Sequence, residues 1–444
     1  MTPRELALKL LIEWEENDKY ANLSLQSPAF SSMYEQDKAF VTTLFYTTVE
    51  RKITLDYLIG AFTDGAAARL SVHTRAVLRL GLSQVLFHDR IPSFAAVSAT
   101  VDLCTNVGER RLVNAVLRRA VRERGALPFP SREKSEARYL SIVYSFPLPL
   151  VRYFLSCYGE QTEALLSAFN GVAPLTVTVN TCRTTREALI ERFRAVGLSA
   201  EPAGPSPLGV RIAGDAVVSR LPGYREGHFF VQDEASRIAC AVLAPRSGER
   251  IIDVCAAPGG KSFCAAIAAG DGAEVLSFDV HESKCSLIRD GARRLGLSSI
   301  RVSARDATVP DTALLGTADR VICDVPCSGL GVLGKKPDLR YKDTESWKRL
   351  PPLALSILTE SARYVKAGGV LVYSTCTLNE AENRAVVDAF LREHADFYLS
   401  PFAVGTHDGA DGTLTLLPHR DQTDGFYIAK LCRRMDGNEH KDAL

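Results

Sequence analysis

At 444 residues the chain is too long for one ordinary domain, and two or three are expected. A hydrophobic fraction of 46% beside 24% charged residues excludes a disordered chain, and no apolar run approaches membrane-spanning length. The start, Met1-Thr2-Pro3-Arg4-Glu5, lacks the apolar core of a signal peptide, so the cytoplasm is the expected compartment; a net charge of +1 excludes a wholly basic coat for nucleic acid but not a local basic groove. The 11 cysteines are scattered and include no C-x-x-C pair, so neither a disulfide framework nor a zinc site is expected.

Residues from Pro3 to about Gly125 read as helical throughout. Leu6, Leu10, Leu11 and Trp14 share one helical face, and Arg75 to Phe87 form a second apolar-faced helix. Ile91-Pro92-Ser93 interrupts it, with Ser93 expected to cap a helix from Phe94 to Cys104. A further helix sets Leu112, Val113, Ala115, Val116 and Leu117 against Arg110, Arg111, Arg118, Arg119, Arg122 and Arg124. That basic surface suits plain solvation or contact with phosphates. Gly125 to Ser131, with Pro128 and Pro130, marks the first expected boundary and leaves an all-α domain over 1–130. A small α+β segment is expected over 131–230. There Leu175 to Asn180 alternates as a strand does, Thr185 to Val196 suits a helix, and Gly209 to Ile212 suits another strand.

From 231 to 444 strand and helix patterns alternate. The expected strands are Ile251 to Val254, Glu274 to Asp279, Ile300 to Ala304, Arg320 to Val325, Val370 to Ser374 and, late, Phe426 to Leu431. Helical patterns between the first five point to a doubly wound, Rossmann-like parallel sheet, in which ligands sit at the carboxyl ends of the strands. Cys255-Ala256-Ala257-Pro258-Gly259-Gly260-Lys261-Ser262 follows the first strand and opens a helix. Such a turn lets backbone pass close to a ligand and points free N–H groups at it. A Walker A loop would need glycine where Cys255 stands, and the G-x-G-x-x-G spacing of a dinucleotide loop is absent. What remains is the S-adenosylmethionine (SAM) loop of a methyltransferase or an ordinary glycine turn. Asp279, ending the second strand, suits the ribose hydroxyls of a nucleoside or the cap of the next helix. Asp306, ending the third, suits an adenine amino group or a plain turn.

Asp324-Val325-Pro326-Cys327-Ser328 ends the fourth strand and Tyr373-Ser374-Thr375-Cys376-Thr377 the fifth. Cys327 and Cys376 are therefore expected at one sheet edge beside a carboxylate, whereas Cys323 alternates into the core. Thiol and carboxylate together suit methylation of cytosine carbon 5. A thiolate adding to carbon 6 makes carbon 5 nucleophilic. A hydrogen-bonding carboxylic acid near N3 relieves the negative charge on the ring. A base then removes the carbon-5 proton so that the thiol can leave. The target base must be single-stranded, looped or flipped.

Asp253 to Ser262, Asp324 to Ser328 and Ser374 to Thr377 resemble the motifs of the Nol1/Nop2/Sun family of RNA cytosine-5 methyltransferases. Leu78-Arg79-Leu80-Gly81 and Val113-Asn114-Ala115-Val116-Leu117-Arg118 resemble the RNA-binding NusB domain. The resemblance implies a multidomain chain: an all-α NusB-like domain, an α+β segment forming part of an RNA platform, and a class I SAM-dependent methyltransferase domain. It implies Cys376 as nucleophile, Cys327 in release of the methylated RNA, Asp324 against the cytosine and near the cofactor, and Lys261 in the active site. Cys255, Ala256, Ala257, Pro258, Gly259, Gly260 and Lys261 would wrap the methionine part of SAM, with Asp279 on the ribose and Asp306 on the adenine. The domain combination further implies 5-methylcytosine formation in 16S ribosomal RNA, free or early in assembly, at a site of the cytosine-967 type. A monomer needing neither metal nor membrane is implied as well. Val332 to Asp338 departs from the family pattern, with Lys335 and Lys336 where relatives often carry arginine and histidine; positive charge, and with it an RNA contact, is kept. The competing readings are the same chemistry on transfer RNA and a non-catalytic RNA-binding factor. Intact Cys376, Cys327 and Asp324 oppose the second. A P-loop nucleotidase, opposed by Cys255, is more distant.

Overall fold

In a computed structural model, which describes residues 1–435 apart from 18–20, 26, 172–173, 205, 215 and 343, Leu6, Leu10, Leu11 and Trp14 lie on the buried face of helix Pro3–Asn17. Their spacing of three and four dictates that face. The chain divides into two compact units, Met1–Gly171 with Leu333–Lys342, and Val172–Val332 with Asp343–Leu444. Among the described residues no single helix is long and apolar enough to cross a membrane.

The first unit is helical. Glu35–Glu50, Lys52–Phe62, Val72–Phe87, Ser93–Val101 and Val107–Arg122 pack with Pro3–Asn17 around one core that includes Leu44, Phe45, Leu58, Leu78, Leu80 and Leu117. Ser93 does not cap its helix: it is the first helical residue, and Pro92 takes the capping position without a side chain that can accept a bond. On the basic helix Val113, Val116 and Leu117 are buried but Ala115 is exposed. Of its arginines, Arg119 pairs with Glu123 at 3.0 Å and Arg124 with Asp89 at 2.7 Å, while Arg110, Arg111 and Arg122 are exposed. Helices Glu136–Tyr144, Leu148–Tyr158 and Thr162–Phe169 fall within the span read as the α+β segment, yet they belong to this unit. Ten residues of later sequence, Leu333–Lys342, belong to it too. Their anchor is Arg340, whose buried guanidinium sits 3.8 Å above the Phe146 ring and donates to the carbonyls of Glu50, Ser145 and Phe169. Lys335 and Lys336 remain exposed on that segment.

The second unit holds two sheets. Strands β1 (Leu175–Val179), β2 (Ser199–Pro202), β3 (Gly209–Ala213) and β4 (Phe229–Val231) form an antiparallel sheet in the order β2-β3-β1-β4. Helix Arg186–Arg194 covers it through Leu189, Ile190 and Phe193. The larger sheet contains β5 (Arg250–Asp253), β6 (Glu274–Asp279), β7 (Ile300–Ala304), β8 (Ala318–Asp324) and β9 (Val365–Thr375) as parallel neighbours. After β9 come β10 (Phe397–Leu399), the short pair β11 (Phe402–Val404) and β12 (His407–Gly409), β13 (Thr413–Leu416) and β14 (Phe426–Arg433). Strand β14 runs antiparallel to β9, and β10 and β13 pair with β14. The sheet order β10-β14-β9-β8-β5-β6-β7 makes a mixed sheet with a doubly wound parallel centre. Apolar side chains fill both of its faces, one against helices Glu234–Leu243 and Gly260–Ala268, the other against Leu350–Ala362 and Arg384–Glu393. The chain winds outward from β5 to β7, then returns through β8 to β9. The switch of direction falls between β5 and β8, where the carboxyl ends of such strands leave a crevice.

Candidate active site

Strand β5 ends at Asp253 and the next helix starts at Gly260, so the intervening turn lies at that crevice. The two glycines serve different ends. Gly259 has φ +111°, and a Cβ there would meet the Phe263 ring at 2.4 Å. Its need for glycine comes from its left-handed φ and from Phe263 packed beneath it. At Gly260 a Cβ would come no closer than 3.7 Å to anything outside the turn. A cleft of about 170 Å³ opens here, lined by Gln232, Asp233, Ser236, Asp253, Cys255, Ala256, Ala257, Pro258, Gly260, Lys261 and Asp324. The Gln232 amide accepts from the Thr178 hydroxyl at 2.7 Å and donates to the Gly260 carbonyl at 3.1 Å, tying the smaller sheet to the turn. The Cys255 thiol is pushed up by burial and by the Cys323, Asp253 and Asp324 charges, so it stays protonated.

Asp253 is the most unusual group in the cleft. Its Oδ2 accepts from the Ser262 hydroxyl at 2.7 Å, but Oδ1 is buried with no hydrogen-bond partner. Burial pushes its carboxyl up to about 7, against the Ser262 bond and the Lys261 charge, with Asp324 adding to the rise. An orphaned acceptor beside the free N–H groups of a helix N-terminus fits a ligand carrying both an ammonium and a carboxylate.

Lys261 bridges the cleft to the sheet edge. Its Nζ lies 2.7 Å from Asp324 Oδ2, and Asp324 Oδ1 accepts from Ser374 at 2.7 Å. Burial would lower the Lys261 pKa, but the Asp324 charge and hydrogen bond, with Cys240 and Asp253, more than reverse this. The ammonium also sits 5.2 Å from the centre of the Phe426 ring. Beyond the ends of β8 and β9 the Cys327 and Cys376 sulfurs are 3.3 Å apart, so the two loops do converge. The Cys327 thiol is pushed well up by its hydrogen bond with Cys376, then by burial and by the charges of Cys376 and Glu382. Cys323, as its alternation requires, is fully buried on the core side.

Asp279 and Asp306 end the neighbouring strands but do not line this cleft. Asp279 Oδ1 accepts from the His281 N–H at 3.1 Å, and Asp306 Oδ1 from the Thr308 N–H at 2.9 Å and its hydroxyl at 2.7 Å. These bonds shape the two turns; that of Asp279 reaches the His281 N–H and does not cap helix Glu282–Leu295. Sequence reasoning passed over Asp253 as a site residue, and over Glu382 and Asn383. Asn383 accepts from the Thr375 hydroxyl at 2.6 Å and donates to the Thr377 carbonyl at 3.0 Å, holding both neighbours of Cys376. The available signal was the run Asn379-Glu380-Ala381-Glu382-Asn383 directly behind Thr377, too polar for a buried turn unless each group is answered.

Residues 240–432 match the family described as 16S rRNA methyltransferase RsmB/F. Residues 1–122 match the NusB family, and 146–219 the ferredoxin-like domain of RsmF/B-like methyltransferases. The chain is 35% identical to a probable ribosomal RNA small subunit methyltransferase B of Synechocystis sp., over 97% of this chain and 99% of that one. It is 34% identical to the protein of that name in Bacillus subtilis, over 97% and 98%. Among solved structures it is similar to PH0851, with a TM-score of 0.78, 26% identity, and 97% and 99% of the two chains covered. The fold of its larger part is also that of NSun6 from Pyrococcus horikoshii, solved with SFG: TM-score 0.60, 22% identity, 66% of this chain and all of that one.

Proposed function

The chain belongs to the RsmB/F family of 16S rRNA methyltransferases, and from that premise we propose that it transfers a methyl group from SAM to carbon 5 of a cytosine in 16S ribosomal RNA. The observation that carries this reading is the 3.3 Å cysteine pair beyond the ends of β8 and β9, with the Lys261–Asp324 ion pair at the end of β8 lining the cleft. A cytosine of the 967 type is the target this reading expects.

Bound in the cleft, SAM supplies an electrophilic methyl group. The turn from Cys255 to Lys261 would hold its methionine part, with Asp253 and the N–H groups of the helix start serving its ammonium and carboxylate. Asp279 is assigned to the ribose and Asp306 to the adenine. Cys376, as thiolate, adds to cytosine carbon 6. The Lys261 ammonium offsets the negative charge that this places on the ring, and Asp324 orients that ammonium and accepts from the base. After methyl transfer, Cys327 relays protons. It gives its own to the departing Cys376 sulfur as the carbon–sulfur bond breaks, and takes the proton leaving carbon 5. The pair thus ends with one proton more than it began with, and loses that proton to solvent. The RNA is held by the smaller sheet and by the exposed arginines and lysines of the helical unit, with the chain acting as a monomer in the cytoplasm.

Calorimetry on the purified chain is expected to show one SAM site, which a non-catalytic factor would lack. Bisulfite sequencing of 16S ribosomal RNA from cells with and without the gene is expected to show one 5-methylcytosine lost. An unchanged 16S map together with a lost site in transfer RNA would overturn the assignment of substrate.

A further inference from the structure

Cys327 and Cys376 stand on the ends of different strands, so their close approach must be imposed by groups outside the pair. Glu382 is placed to impose it. Its side chain is buried, 1% exposed. One oxygen accepts from the Ser328 backbone N–H at 2.8 Å; the other accepts from the Ser328 hydroxyl at 2.5 Å and the Asn379 amide at 2.7 Å. The Ser328 hydroxyl lies 2.7 Å from that of Thr377. Ser328, after Cys327, thus meets Thr377, after Cys376, directly, and the Glu382 carboxylate ties Ser328 to Asn379 further along the second loop. Glu382 is itself held, since the Tyr373 hydroxyl donates to its carbonyl at 2.6 Å.

Three donors meet the two oxygens of Glu382, so both must accept, which a carboxylate does and a neutral amide, with one oxygen and one NH2, cannot. The charge has an electrostatic consequence. Cys376, Glu382, the Tyr373 hydroxyl and the Gly329 N–H are among the groups that act on Cys327. Of these Glu382 is the carboxylate, and its field opposes a negative sulfur at Cys327. We propose that Glu382 is a positioning residue that locks the two cysteine loops together and holds their shared proton on Cys327, leaving Cys376 as the attacking thiolate. The proposal rests on the reading of Cys376 as nucleophile.

The test compares full-length wild type, Glu382→Gln, Glu382→Asp and Cys376→Ala by single-turnover methylation of a 16S ribosomal RNA transcript over a pH series. Melting temperature and SAM affinity serve as controls for folding. Glu382→Gln loses the charge and turns an NH2 onto one of the three donors; its rate is expected to fall about tenfold and the alkaline limb of its profile to move down by on the order of one pH unit. Glu382→Asp keeps the charge but draws it back, so its rate should fall while the limb stays in place. Peptide-mapped alkylation by iodoacetamide without RNA reads the proton directly. Wild type should label Cys376 ahead of Cys327, and Glu382→Gln should bring the two toward equal labelling. An unmoved limb and an unchanged labelling ratio in a folded Glu382→Gln protein overturn the proposal, whatever the rate does. If Cys376→Ala still methylates, the nucleophile assignment falls and this proposal with it. An inactive Cys376→Ala beside an unmoved Glu382→Gln profile overturns the role of Glu382 alone.

Discussion

Each of the two units buries a carboxylate, and the two carboxylates are treated in opposite ways. Glu109, in the helical unit, sits in the first turn of helix Val107–Arg122 and accepts from His73, the Thr74 hydroxyl, the Thr105 N–H and the Thr105 hydroxyl at 2.7–2.9 Å. Burial alone would raise it, but those donors outweigh burial and hold it down to about 2. Asp253, in the methyltransferase unit, receives the Ser262 hydroxyl and a lesser pull from the Cys255 N–H, keeps Oδ1 without a hydrogen bond and is pushed up to about 7. The first closes a helix start, as a capping box does. The second leaves an acceptor for something the chain does not itself provide. Both are buried, Asp253 the more deeply, and the donors they receive widen the gap between them.

The sharpest break in that comparison comes at the two sulfurs. Cys376→Ala is expected to lower methylation by about 10³-fold or more, since it removes the sulfur assigned to attack carbon 6. Cys327→Ala should leave a covalent enzyme–RNA adduct that survives a denaturing gel; normal turnover without adduct would remove its relay role.

Asp253→Asn tests the unanswered oxygen. SAM affinity at pH 8 is expected to fall about tenfold, the loss of one charge-assisted hydrogen bond. Wild-type affinity should strengthen as pH rises through about 7, because the carboxyl must ionise to meet the ammonium. The variant should show no such rise in a calorimetric titration. Stability moves the other way. The raised folded-state pKa means that wild type loses stability between the unfolded carboxyl value, near 4, and about 7, by on the order of 4 kcal/mol, relative to a form that cannot ionise. Urea melts of the ligand-free proteins should show that difference.

Glu109→Gln tests the answered carboxylate. Its cost should be about 1–3 kcal/mol at neutral pH. A lowered folded-state pKa gives stability that is full above the unfolded glutamate value and is lost as pH falls toward about 2. The gap between variant and wild type should therefore close in acid, while methyl transfer by the folded variant stays intact. The smallest effect is expected on the basic helix. Replacing Arg110, Arg111 and Arg122 by alanine should flatten the log–log salt dependence of RNA binding by about 0.7–0.9 per lost phosphate contact. Arg119 and Arg124, already engaged by Glu123 and Asp89, should matter less.

Much of this site could be read without coordinates, and the rest divides by range. Period-two and period-3.6 patterns are local, so all six main strands of the methyltransferase sheet were legible within a few residues, as was the helical N-terminal half. The meeting of Cys327 with Cys376 followed too, because parallel neighbours put their carboxyl ends on one edge. Misses occurred where the deciding partner is remote in sequence and leaves no periodic trace. The helices from Glu136 to Phe169 carry no mark of the unit they join, and Leu333–Lys342 gives no sign that it folds with that same unit around Arg340.

The order and kind of the elements, and the residue types able to do thiol chemistry on a pyrimidine, are determined by the amino-acid sequence, since both depend on neighbours a few positions away. Which buried charges are answered was decided only by tertiary packing. The donors that meet Glu109, the gap beside Asp253 and the clasp of Glu382 on Ser328 depend on where separate segments come to rest. A carboxylate's burial and its hydrogen-bond supply are properties of that arrangement, and they set its charge and hence its use.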